Sequence, residues 1–461
     1  MASAAEKIKE GQQAMGSGRE WARWRAPAAV VLLGVVAYWP ALNNPFVADD
    51  YAFFWYVDRL QGHWTDLALH PLGLRRVVST LFFALCYQLF GFAPAGYYAA
   101  NLLLHLLISG LVGVLVGALS RERTAGAAAA LFFVAYERHQ EAVFWITAHH
   151  ELFVSLGVLA TVWFFWRYRT QGRWRDYGLA LGALGFSALS KESFIVVAPL
   201  LVWLEVCFFG WRGWRRWVAY APFVLGVAAY AAQMYSVRQE VPLYALYYGI
   251  TPHFFVAFGK TVARLLVFVL VFLLLAWWVG RRAGEGTLKW LREEKAVWFF
   301  FGWLLIAPIP YSFLLYLDQL PSRQTYLPSV ATAALVGLLF ERAAQLAGST
   351  RLRYAPAALL AVILTGNVLY VWKKDTDYLH RAAPTGELIV LLNRQTGSEP
   401  IAIYGFPYEH FIGEAAVRYF APRHLEQVRF LKPGQAAPEG SRVLHWNDER
   451  ENYEILSPGT K

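Results

Sequence analysis

Apolar residues in this chain come in long runs broken by short polar stretches. The first run, 27–42, is followed by ten more at 96–119, 123–136, 150–168, 176–190, 193–210, 216–233, 254–280, 297–316, 324–341 and 353–372. Most reach the roughly 17–25 residues that a helix needs to cross a hydrocarbon layer. The runs at 123–136 and 176–190 are short and rich in Ala and Gly, which predicts helices packed inside a bundle, where small residues allow close approach. A further apolar segment, 77–92, is marginal in length.

Basic residues decide how that segment is treated. If 77–92 does not cross, the loops on the N-terminal side hold twenty-two Lys and Arg, against seven on the other side (Arg59, Arg75, Arg76, Arg138, Lys191, Arg238 and Arg323). If it crosses, the two groups mix. The positive-inside rule therefore predicts eleven spans, a cytoplasmic N-terminus, and 77–92 lying in the outer interface or re-entering there. Residues 1–26 form a basic cytoplasmic tail ahead of an uncleaved first span. Residues 27–372 form the membrane domain, with interfacial helices in the outer loop 43–95. Residues 373–461 lose the membrane composition. There "ELIVLL" and "GEAAVRYF" read as helices, and "PIAIYGF", "EQVRFL" and "SRVLHW" as strands, giving a small extracytoplasmic α/β domain.

Composition agrees with an all-α polytopic membrane domain: 57% hydrophobic, only 16% charged, mean hydropathy +0.36. The net charge of +10 follows from membrane topology and gives no nucleic-acid signal, and Cys86 and Cys207 suggest no disulfide framework.

The polar residues of the outer face are few and clustered. Asp49 and Asp50 open the helical stretch "DYAFFWYVDRL". Arg75 and Arg76 follow, then His139, Glu141, His149, His150 and Glu151 within "HQEAVFWITAHHELF". Lys191 and Glu192 stand in "LSKES", Lys260 and Arg264 share a face of the eighth run, and Asp318, Arg323 and Tyr326 lie around "SRQTYLPS". A charge at membrane depth costs at least about 2.5 kcal/mol, so such groups usually face a cavity or a partner. Arg75, Arg76, Lys191, Lys260, Arg264 and Arg323 suit a lipid phosphate, the carboxylates suit a general base, and His139, Glu141, His150, Glu151 and Glu192 suit the pocket for sugar or acceptor. Blander roles stand beside these. Asp49 is a favoured helix cap, Lys191 and Glu192 can pair, Lys260 can snorkel, and the histidines can bond backbone.

The order of "ADDY", "HQEAVFWITAHHELF", "LSKES" and "SRQTYLPS" resembles the GT-C superfamily of polyprenyl-phosphate-sugar-dependent glycosyltransferases. It is most similar to the branch of the protein O-mannosyltransferases and their TPR-bearing transmembrane relatives. The sequence carries no TPR array, and "HQEAV" lacks a proline shortly after its histidine, which leaves the acceptor open. The resemblance implies a GT-C-like fold and transfer of a sugar from a polyprenyl-phosphate donor to an acceptor hydroxyl on a protein, glycan or lipid, on the extracytoplasmic face. Asp49 is then the base, and Arg323, Lys191, Arg76 and Tyr326 lie at the donor phosphate. A single base implies inversion. No cofactor is required, although carboxylates in some distant relatives hold a divalent metal. The absence of ER-retention signals favours a bacterial plasma membrane. The alternative is a transporter or flippase for a lipid-linked or anionic solute, which should place charges near the midplane and show two related halves.

Overall fold

The computed structural model describes residues 25–69, 76–210, 217–240, 249, 251–314, 320–348 and 352–456. Arg75 and Asp318 lie outside the described residues.

The chain is mostly helical. In the N-terminal half come α1 (Arg25–Asn43), α2 (Asp49–Leu60), α3 (Val77–Phe90), α4 (Pro94–Ser120), α5 (Arg123–Ala135), α6 (Gln140–Phe144) and α7 (Ile146–Gln171). They are followed by α8 (Trp174–Ala188), α9 (Val197–Phe208), α10 (Ala221–Glu240), α11 (Pro252–Ala283), α12 (Lys295–Ile306), α13 (Ser329–Ala347) and α14 (Ala355–Arg394). Each of the eleven apolar runs is helical over most of its described length. Six helices among the described residues (α1, α4, α7, α11, α13 and α14) are long and apolar enough to cross a membrane. Others are short: α9 and α12 have 12 residues each, α5 has 13 and α8 has 15.

The small-residue helices part company. α5 sits inside the bundle between α4 and α13, with Ala125, Ala129, Phe132 and Phe133 fully buried. A Cβ added at Gly126 would strike the Gly113 carbonyl, and one at Gly337 the Ala125 carbonyl, so backbones touch where side chains would not fit. The expectation that 176–190 is also internal is corrected. α8 buries one stripe against α7 and leaves Trp174 and Leu179 outward, with open space beside Gly178, Gly182 and Gly185. Glycine spacing alone did not distinguish the two, because a lipid-facing helix tolerates glycine as well as a packed one does.

At 40 residues, α14 is about 60 Å long at 1.5 Å per residue, twice the hydrocarbon thickness of about 30 Å. The composition change at residue 372 falls inside this single helix, which runs on into the C-terminal unit. That unit contains β1 (Ile401–Tyr404), α15 (His410–Phe420), β2 (Val428–Phe430), β3 (Arg442–Asn447) and β4 (Asn452–Leu456), with strand order β2-β1-β3-β4. β1 pairs in parallel with β2 and β3, and β4 adds an antiparallel edge strand that the sequence pattern does not signal.

The unit docks on α2. The Tyr419 hydroxyl donates to Asp58 at 2.6 Å, and the Phe420 ring meets those of Tyr51 at 5.3 Å and Phe92 at 5.0 Å. α3 packs on the same aromatic cluster through Phe83, Ala84 and Cys86.

Candidate active site

The two aspartates have different jobs. Asp50 is fully buried. One of its carboxylate oxygens accepts the Val47 N–H at 2.9 Å and the other the Thr147 N–H at 3.0 Å, tying the start of α2 to the first turn of α7. Burial raises its pKa to about 7, with those hydrogen bonds opposing and the neighbouring Asp49 charge adding to the rise. The same ties hold Ala48 at φ 45°, ψ −112°, a region that suits glycine and costs a side-chain-bearing residue about 1–3 kcal/mol. That bend turns Asp49 the other way, into a cavity of about 210 Å³. Ala48 occupies the cap position, and Asp49 stands in the first turn of α2, where its charge suits the positive end of the helix. Desolvation raises its pKa, while Arg323 and Arg76 pull it down.

Cations reach the cavity from three elements. Arg76 comes from the N-terminal end of α3. Lys191 stands in an extended residue just after α8, almost buried, paired with Glu151 and lying 5.0 Å from the Tyr311 ring centroid. The Tyr311 hydroxyl donates to the other Glu151 oxygen at 2.8 Å, so that carboxylate is fully used. Arg323 comes from the short turn Ser322–Thr325. Its guanidinium pairs with Glu141 and lies 4.7 Å over the Trp145 ring. The second Glu141 oxygen accepts the Ser322 hydroxyl at 3.0 Å and the Arg323 N–H at 3.1 Å. α6 thus grips the turn that carries Arg323. His150 also lines the cavity. Its Nδ1 lies 2.8 Å from the Thr147 carbonyl, which can only accept, so Nδ1 carries the proton.

The cavity therefore brings together Asp49, Arg76, His150, Lys191, Glu192 and Arg323. The other residues singled out from sequence do not line it. Asp50 holds backbone, and Glu141 and Glu151 hold the two cations from behind. Tyr326 is buried, its hydroxyl 2.6 Å from His105 Nδ1, and His139 bonds the Ser329 hydroxyl at 2.6 Å. Lys260 is exposed on α11. Arg264 donates to the Leu320 carbonyl at 3.4 Å and faces Glu137 and Arg138. Among the described residues no three His, Cys, Asp or Glu side chains converge as a metal site.

Sequence reasoning missed Tyr311, Trp145, Thr147 and Gln324, which also line the cavity. Trp145 and Thr147 sit inside a motif already singled out, and a Trp next to acidic and basic residues was a usable signal. Tyr311 lies in an apolar run beside Pro308 and Pro310, where it reads as belt aromatic.

Residues 70–237 match the family model described as dolichyl-phosphate-mannose-protein mannosyltransferase. No curated protein matches the chain. Among solved structures, the chain is similar to ArnT from Cupriavidus metallidurans bound to undecaprenyl phosphate, at 14% identity over 88% of this chain and 86% of that one, with a TM-score of 0.42. The apo form of the same protein matches at 14% identity over 94% of each chain, with a TM-score of 0.46. Through its ordered motifs the chain resembles the GT-C polyprenyl-phosphate-sugar-dependent glycosyltransferases, and over residues 70–237 it carries the pattern of the dolichyl-phosphate-mannose-protein mannosyltransferase family.

Proposed function

We propose that this multi-pass membrane protein transfers a sugar from a polyprenyl-phosphate donor to an acceptor hydroxyl at its outer face, with a mannosyl donor the first to test. The observation that carries this reading is the cavity that holds Asp49 opposite Arg76, Lys191 and Arg323. The acceptor oxygen attacks the anomeric carbon, the bond from that carbon to the phosphate oxygen breaks, and the hydroxyl proton passes to Asp49. The lipid phosphate leaves with the electron pair, and the three cations stabilise the charge that grows on it. One displacement inverts the anomeric centre. Burial-raised basicity at Asp49 suits it to accept a proton near neutral pH. The scheme assigns no step to a metal, and chelation with EDTA tests that. The N-terminus lies in the cytoplasm and the cavity on the opposite side, in a bacterial plasma membrane.

The test is label transfer in proteoliposomes supplied with radiolabelled polyprenyl-phosphate mannose and membrane extract as acceptor. Transfer that Asp49→Asn abolishes, while undecaprenyl phosphate still binds, supports the reading. Undiminished transfer in that variant removes Asp49 from its role.

A further inference from the structure

The C-terminal unit packs on the two residues that lead into Asp49. Ala382 of α14 packs on Val47 and Ala48, the two residues before Asp49, and Trp145 and Tyr408 pack against the same cluster. Tyr408 belongs to the loop after β1, and its hydroxyl donates to the Arg381 carbonyl at 2.5 Å. Arg381 is the neighbour of Ala382 in α14, and Trp145 of the same cluster also lines the Asp49 cavity.

Arg381 carries charge to spare. Its side chain is 48% exposed, and its guanidinium lies 3.9 Å from a Glu141 oxygen already paired with Arg323. One carboxylate thus serves two arginines. Beyond Tyr408 the surface opens into a cleft of about 420 Å³, lined also by Pro407, Glu409, His410, Phe411 and Lys432.

We propose that Arg381 and Tyr408 form an acceptor subsite, selecting an acceptor whose reactive hydroxyl lies close to an anionic group. This rests on the transferase reading above and deepens it. The aromatic wall orients the acceptor toward Asp49. Arg381 holds its anion, a carboxylate or phosphate, in the fork geometry that a guanidinium offers. The remainder of the acceptor extends into the cleft past Tyr408. The soluble unit, fixed on α2 and continuous with α14, keeps this wall in register with the base.

Two surrogate acceptors separate the charge from the hydroxyl: octyl glucuronide and octyl glucoside, assayed with radiolabelled polyprenyl-phosphate mannose and the full chain in detergent. The unaltered protein should favour the glucuronide by about tenfold in kcat/KM, the scale of one charge-assisted hydrogen bond. Arg381→Gln should erase that preference by raising the KM for the glucuronide about tenfold while leaving the KM for the glucoside, and Arg381→Lys should restore much of it. Tyr408→Ala should raise the KM for both. Inorganic phosphate should compete with the glucuronide if a free anion suffices, and an added alkyl phosphate should compete better if the anion is a lipid headgroup. Either pattern supports the subsite. Equal use of both acceptors by the unaltered chain overturns the proposal, as does a change in Arg381→Gln confined to undecaprenyl phosphate affinity. If the unaltered chain neither transfers nor hydrolyses any polyprenyl-phosphate sugar tried, the transferase reading fails and the subsite with it.

Discussion

The protein builds the same polar triad twice, at opposite ends of its bundle. At the Asp49 cavity Lys191 pairs with Glu151, whose second oxygen accepts the Tyr311 hydroxyl. In the other triad Arg169 pairs with Glu205, which accepts the Tyr220 hydroxyl at 2.6 Å. In each a cation lies over a ring, Tyr311 in the first and Phe209 in the second, and the acid is buried. The surroundings differ. Arg169 is capped by Phe209 and also bonds Tyr220, a closed set. Lys191 borders a cavity shared with Asp49, Arg76 and Arg323. A satisfied ion pair is thus the ordinary way for a helix end to carry charge near lipid. A site arises where further cations and an acid face the same space.

That contrast can be broken in several places. The largest effect belongs to Asp49→Asn, which should lower transfer by about 10²–10⁴, read as the initial rate at fixed donor. Next, Arg323→Ala should cost about 10²–10³ in kcat, whereas Arg169→Ala should leave the rate of the folded protein unchanged. Glu151→Gln and Glu205→Gln should both destabilise the fold by about 3–5 kcal/mol, since each leaves a buried cation without its partner. Thermal melting in detergent measures this, and only Glu151→Gln should also raise the donor KM.

Smaller effects come from pH and backbone. Because the Asp49 pKa is raised, the acid limb of kcat/KM should lie above the ordinary carboxylate range and vanish in Asp49→Asn. For Asp50 the sign runs the other way for stability. Between the ordinary carboxylate value of 3.8 and about 7, the folded chain keeps a proton that the unfolded chain releases. Stability should therefore fall as pH rises through that window and level off above it, seen as a declining Tm. Last, Ala48→Gly should raise stability by about 1 kcal/mol by relieving the left-handed backbone, with the bend and the rate kept.

Much of the membrane part was readable in advance, because hydrocarbon imposes length and polarity on every crossing segment. Helices stand where the apolar runs predict them, and the strands at "PIAIYGF", "EQVRFL" and "SRVLHW" form. The edge strand Asn452–Leu456 escaped, since its exposure alternates irregularly and it carries a glutamate. Within the candidate site, charge type and motif order drew attention to Asp49, Arg76, Lys191 and Arg323. They could not tell these from Lys260 and Arg264, which carry the same charge and do not line the cavity.

The sequence by itself determined which segments are apolar enough to leave water and which polar side chains must then be gathered at their ends. These follow from transfer free energies that act residue by residue. Only the tertiary structure decided which of two adjacent aspartates faces the cavity, which glutamates stand behind the cations, and that Tyr408 packs on the residues before Asp49 while Arg381 lies near Glu141. Those outcomes depend on a backbone bend at Ala48 and on contacts between residues hundreds of positions apart, which no local pattern encodes.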